Sequence, residues 1–187
     1  MSDQDEPAPL IRLTEARYGD GVGTPVQGGD PITIADGMFD QDGNTENSGG
    51  LSNLFVAWGQ FLDHDLSLSL ENDAESLTTE GMAAPLHRSE FEIGEDGARV
   101  PTNSITWQVD GSQVYGSTSE KTDQLRSGED GHLRMGEDQW SDMGLLPDDH
   151  DHLIAEGGSC PFAAGDIRAN ENPALASMHT MMAREHN

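Results

Sequence analysis

One segment of this chain commits to a definite shape, and it limits what the rest can do. Between Leu51 and Leu66, the residues Leu54, Trp58, Phe61 and Leu62 fall at i, i+4, i+7 and i+8, one face of an α-helix. Ser52 or Asn53 can cap its start. A helix of this kind must bury its apolar face, and the chain offers little to bury it with. Apolar residues make up 34%, and 9 basic against 35 acidic side chains leave a formal charge of −26. Low apolarity with high net charge works against a packed core. The expected fold is mainly α with long loops and a thin core, helped by a bound ion, a cofactor or further polypeptide.

The charge also excludes function classes. A general nucleic-acid binder needs clustered Lys and Arg against phosphate, and docking on anionic lipid needs the same. No apolar run reaches the ~18–20 residues that span a bilayer, so neither nucleic acid nor membrane is an expected partner. Hard cations such as calcium, which take carboxylate and carbonyl oxygens, suit this composition. Cys160 is the only cysteine, which excludes an intrachain disulfide. Met1 to Pro9 are acidic and polar and lack the basic start and apolar centre of a secretory leader.

Residues 1–50 read as an acidic, glycine-rich arm. Residues 11–50 look like loop with one or two short extended pieces, such as Ile32-Thr33-Ile34. Residues 51–187 read as one domain. Within it, 71–104 and 127–160 look like acidic loop, and Ser117 to Arg126 has the charge polarity of a short helix. A last helix begins at Asn172-Pro173, a cap followed by a first-turn proline, and continues through Leu175, Met178, Met181 and Met182 as core positions.

Several constellations carry chemistry. Asp63, His64 and Asp65 end the most apolar helix and point in three directions, since neighbours on a helix lie roughly 100° apart. Thr106, Gln108, Asp110 and Ser112 alternate oxygen-bearing positions in a short loop able to wrap calcium, although a plain turn has the same pattern. Asp40, Asp42, Asn44 and Glu46 fail the EF-hand template and read as solvated loop. Asp148, Asp149, His150, Asp151 and His152 lack metal-site spacing. Gly19 to Gly29 is not a phosphate loop, and Cys160, His179 and His186 read as structural. Arg168 stands out in a chain poor in cations. An arginine facing a histidine is the pair that breaks a peroxide: the imidazole takes a proton and the guanidinium stabilises charge on the leaving oxygen.

Three stretches in order then resemble a known family. Trp58-Gly59-Gln60-Phe61-Leu62-Asp63-His64-Asp65 is similar to the distal-helix signature of the animal-type haem peroxidases, the myeloperoxidase and peroxinectin-like superfamily. Val109 to Ser117 resembles that family's calcium loop. Ala164 to Glu171, with Ser177 to Asn187, resembles its arginine segment and following helix.

The resemblance implies a partial animal haem peroxidase fold and specific roles. His64 would be the distal base, Arg168 its partner, and Gln60 a residue touching the same pocket. Asp65, Thr106, Gln108 (by its carbonyl), Asp110 and Ser112 would hold calcium. Asp63 and Glu171 match two carboxylates that can form ester bonds to haem methyl groups, so the cofactors implied are b-type haem, with or without those links, and calcium. Asn172 stands where myeloperoxidase has a vinyl-bonded methionine, so no sulfonium link is expected. The family's proximal iron-ligating histidine lies further downstream, and neither His179 nor His186 matches it. The chain therefore reads as the distal portion of a peroxidase domain, truncated at its C-terminus, with the C-terminal half as its expected partner.

The implied function is reduction of hydrogen peroxide with oxidation of a halide or organic donor. The rival reading is a non-catalytic calcium-binding fragment that folds with a partner chain. A metal phosphohydrolase built on His64-Asp65 would need further His and Asp ligands on apolar helices, which the sequence lacks. As to location, an acidic surface and a calcium loop suit a calcium-rich exterior, while the acidic start argues the other way.

Overall fold

The computed structural model describes residues 7–43, 45–77, 86–136, 144–147 and 162–187. The expected solvated loop at 40–46 is described except for Asn44, and the 148–152 run and Cys160 lie outside the described residues. In chain order the elements are β1 (Ala8–Pro9), α1 (Pro31–Phe39), α2 (Leu54–Asp63), β2 (Glu71–Ser76), β3 (His87–Ser89), β4 (Phe91–Ile93), β5 (Arg99–Asn103), α3 (Ser112–Tyr115), α4 (Ser119–Leu125) and α5 (Pro173–His186). A single turn of 3-10 helix, Ile167–Asn170, precedes α5.

Contacts divide the chain into two compact units, and the division differs from the boundary at residue 50 expected from sequence. Pro7–Gly50 packs with Ser69–Ser104, whereas Leu51–Leu68 packs with Ile105–Asn187.

The first of these units holds the strands. β5 is the central strand of a three-stranded antiparallel sheet in the order β1-β5-β4, and β2 pairs with β3 in a two-stranded ladder. The 71–104 stretch is thus largely strand rather than loop. Its ladders are set by pairing and by buried Arg99, not by an apolar alternation. Arg99 donates to Glu75 and to the Ser89 carbonyl, and its guanidinium lies 3.6 Å from the Phe91 ring centroid. Residues 31–39, expected to be extended in part, form α1 instead. The Asp30 carboxylate accepts from the Thr33 N–H at 2.9 Å, and Pro31 occupies the first turn. A capped start with proline at that position outweighs the strand preference of Ile32, Thr33 and Ile34.

The second unit is helical. α2 and α5 pack together around Ala57, Phe61, Leu175 and Met178, with Val114 and Met182 partly buried against them. Complete burial of Leu175 contributes ~2 kcal/mol by the usual area scale. A second cluster joins Leu125, Leu133, Leu146, Ala163, Ala164, Ala169 and Ala183. The ends of α5 follow the sequence: Asn172 accepts from the Leu175 N–H at 2.9 Å, and Pro173 is in the first turn.

Two expectations about helix faces need correction. On α2 the buried stripe is Ala57 and Phe61, continuing to His64, while Leu54 is 56% exposed and Leu62 and Trp58 also face water. The small side chain of Ala57 lets α5 approach, so the helix turns that face inward. On α5, Met181 lies on the outer face at 48% exposure, so only Met178 and Met182 join the core. Among the described residues no helix is long and apolar enough to cross a membrane.

Candidate functional site

α2 ends at Asp63, and the next residues tighten into a turn. The His64 N–H donates to the Gln60 carbonyl and the Asp65 N–H to the Leu62 carbonyl, each at 3.1 Å. This turn separates four consecutive side chains. Asp63 and Leu66 remain exposed, whereas His64 and Asp65 are both buried at 3% exposure.

His64 meets the arginine segment. Arg168 lies 104 residues away in sequence, yet its Nη2 is 3.4 Å from the His64 carbonyl oxygen, a long hydrogen bond at best. The imidazole Nδ1 is buried without a hydrogen-bond partner and lies 3.8 Å from Asp166 Oδ1. Burial holds the His64 pKa below its ordinary value, and Arg168 acts in the same direction. Asp166, Glu171 and Asp63 oppose that shift. A neutral imidazole beside a guanidinium is the protonation state a base requires.

Gln60, one turn before His64, bridges α2 to the start of α5. Its Nε2 donates to Glu171 Oε2 at 2.6 Å, and its Oε1 accepts from Asn172 Nδ2 at 3.0 Å. Glu171 and Asp63 are exposed carboxylates that both bear electrostatically on His64.

Asp65 faces the loop before α3. Its Oδ1 accepts from the Ser112 N–H at 2.8 Å and from Ser112 Oγ at 3.2 Å, and its Oδ2 accepts from the Gly111 N–H at 3.2 Å. Asp110 Oδ1 accepts from Thr106 Oγ1 at 3.0 Å and from the same Ser112 N–H at 3.2 Å. Gly111 makes the turn with φ +79°, a conformation costly for residues with a Cβ. Thr106 and Ser112 are each 1% exposed, and Asp110 Oδ2 is buried without a hydrogen-bond partner. Two carboxylates and two hydroxyls thus converge, and a buried carboxylate oxygen left unpaired is costly unless a cation completes it. Gln108 stands apart: its side chain is exposed, and its carbonyl accepts the Asp110 N–H at 3.0 Å.

Two further described histidines of this unit, His179 and His186, lie on α5. His179 is sealed against the Phe61 ring edge at 5.0 Å, and burial pushes its pKa down to about 4. The ring nitrogens of His186 face Tyr115 Oη and the Gly131 carbonyl. Sequence reasoning passed over Asp166, whose signal was an acid two residues before the arginine, the spacing of a helix cap. It also passed over Gln113, which donates to the Phe61 carbonyl at 3.3 Å and so ties α3 to α2. In the other unit, ligand atoms of Glu71, Asp73 and His87 lie within 4.8 Å of one another, with the Asp73 side chain 95% exposed.

Comparison with known proteins identifies the family. Residues 5–187 match the family model described as animal haem peroxidase. The chain is 32% identical to human eosinophil peroxidase over 179 residues, covering 74% of this chain and 25% of that protein. It is 29% identical to peroxidase mlt-7 of Caenorhabditis elegans over 200 residues, covering 92% of this chain and 27% of that one. The solved structure of peroxidase A from Dictyostelium discoideum superposes with a TM-score of 0.79 at 26% identity, covering 97% of this chain and 41% of its own. The chain therefore spans about a quarter of the curated relatives it matches. With the match running almost end to end and the fold shared, the chain belongs to the animal haem peroxidase family.

Proposed function

We propose that this chain supplies the distal side of a haem peroxidase site that reduces hydrogen peroxide and oxidises a halide or small organic donor. The observation that carries the reading is the buried His64 imidazole, with the Arg168 guanidinium against its backbone, in a chain of this family. His64 takes a proton from one peroxide oxygen and returns it to the other as that oxygen leaves. Arg168 stabilises the negative charge that builds on the departing oxygen. Gln60 holds Glu171 and Asn172 and so links the helix that carries His64 to the start of α5.

The residues present fit a haem: an imidazole and a guanidinium for the distal face, and Asp63 and Glu171 as exposed carboxylates for ester links to ring methyl groups. When bound, haem supplies the electrons that cleave the O–O bond. Calcium fits Asp65, Thr106, Asp110 and Ser112, where Asp110 Oδ2 has no hydrogen-bond partner, with Gln108 contributing its carbonyl. Such an ion ties the residue after His64 to a loop more than forty positions away, so it holds the imidazole in place.

Haem titration tests the reading. A Soret shift with peroxide-dependent oxidation of a dye is expected, falling on the order of 10³-fold in His64→Ala. Full turnover in that variant removes the assigned role. The second reading, a non-catalytic calcium-binding fragment, is favoured by the same Asp65–Asp110 cluster. It predicts calcium binding with neither a Soret shift nor peroxide consumption.

A further inference from the structure

Asp166 is among the most deeply buried acids described here, with 1% of its side chain exposed. Its carboxylate receives three donors from Arg168: the backbone N–H at 2.8 Å and Nε at 2.9 Å on Oδ1, and Nη2 at 2.8 Å on Oδ2. The Nε–Nη2 edge of the guanidinium is therefore held side-on in a bidentate pair, which fixes the plane as well as the position. Nη1 stays outside that pair. The same Oδ1 is 3.8 Å from His64 Nδ1, which has no hydrogen-bond partner. That distance is too long for a hydrogen bond, but it leaves the carboxylate as the acceptor nearest to hand for an Nδ1 proton.

A carboxylate next to one imidazole nitrogen favours the proton on that nitrogen and leaves the lone pair on the other. One buried acid thus touches both members of the proposed pair. Its own place is set by the backbone, because it caps the 3-10 turn that carries Arg168. We propose that Asp166 is a positioning residue: it holds His64 as the Nδ1–H tautomer, with Nε2 free to take a proton, and it orients the Arg168 guanidinium. The proposal rests on the peroxidase reading for its purpose, though not for its geometry.

Asp166→Asn separates this role from a structural one, because asparagine caps a helix about as well as aspartate while it removes the charge and one of the two acceptor oxygens. The full chain, labelled with nitrogen-15 at histidine and arginine, is measured at neutral pH by long-range proton–nitrogen correlation. Wild type is expected to show His64 as the Nδ1–H form. The variant is expected to move His64 toward the Nε2–H form and to shift the Arg168 Nε signal. In the haem-loaded protein, kcat for peroxide is expected to fall on the order of 10²-fold, with the donor KM little changed.

An Nε2–H tautomer in wild type overturns the proposal, and so does a variant whose His64 and Arg168 signals do not move. The wild-type spectrum decides alone if the variant fails to fold. Should both signals move as expected while loaded wild type consumes no peroxide, the positioning role stands and the peroxidase reading falls. Undiminished peroxide turnover in the variant with unmoved signals leaves that reading intact and removes Asp166 from it.

Discussion

Arg99 and His64 are both buried polar side chains, one in each compact unit, and the protein treats them differently. Arg99 uses its guanidinium on Glu75, on the Ser89 carbonyl and on the face of Phe91. Around His64 the accounts stay open: its Nδ1 and, one residue on and across the loop, Asp110 Oδ2 are both buried and unpaired. A satisfied buried charge organises a fold, whereas unsatisfied buried atoms point to a missing partner. Among the described residues the strand-bearing unit leaves His87 Nδ1 and Ser104 Oγ without hydrogen-bond partners, whereas the helical unit leaves an imidazole nitrogen and a carboxylate oxygen unpaired on either side of one loop.

Withdrawing the calcium proposed for the Asp65–Asp110 loop is the strongest way to break this contrast. An ion bound a thousandfold above its Kd adds about 4 kcal/mol to the state that binds it. Chelation is therefore expected to lower the melting temperature through the helical unit and to leave amide-exchange protection of β4 and β5 unchanged. Asp110→Ala is expected to abolish the calcium response. Equal loosening of both units on chelation would erase the distinction.

Acid comes next. The folded His179 holds its pKa near 4, below the ordinary ~6.5 of the unfolded chain. The unfolded state therefore binds a proton that the folded state refuses. Stability is full above pH ~6.5, falls as pH drops toward 4, and levels off below. The loss amounts to about 3 kcal/mol, read by urea unfolding across that range. Asp166, His64 and Arg168 all act on this imidazole, burial being the largest influence. His179→Phe is expected to flatten the profile.

Arg99→Met sharpens the comparison from the other side. It is expected to cost about 2 kcal/mol in denaturant unfolding, less than a fully buried pair would. Glu75 keeps a third of its side chain exposed, and Arg88 remains 3.4 Å from it. Haem titration of this variant is expected to match wild type. Smallest are the helix caps. Asp30→Ala and Asn172→Ala should each cost about 1 kcal/mol. Only the second should alter the peroxide reaction, because Asn172 also donates to Gln60.

Much of the helical unit was legible in the sequence. α2 and α5 declared themselves by spacing, and the Asn172 cap and first-turn Pro173 marked a boundary that the structure reproduces. Asp65, Thr106, Asp110 and Ser112 could be grouped from family motifs, and they do converge. The face of α2 was misread because Trp58 and Leu62 outrank Ala57 in hydrophobicity, yet close approach of α5 favours the small residue. The strands escaped notice for another reason. Glu71–Ser76 has no apolar alternation, and its conformation comes from pairing with His87–Ser89, which local sequence does not encode. Asp166 looked like a routine cap, and its second contact, to His64, appears only in three dimensions.

Gly165 has a consequence for how finely the arginine is aimed. A Cβ built there would lie 2.5 Å from the Ser112 carbonyl oxygen, 2.6 Å from the Gly116 nitrogen and 2.7 Å from the Gln113 carbonyl oxygen. The strand of backbone leading to Arg168 thus lies flush on α3, main chain against main chain, with no side chain to act as a spring between them. A single methyl group would work as a shim, lifting the guanidinium off its mount while every residue that does chemistry remained in place.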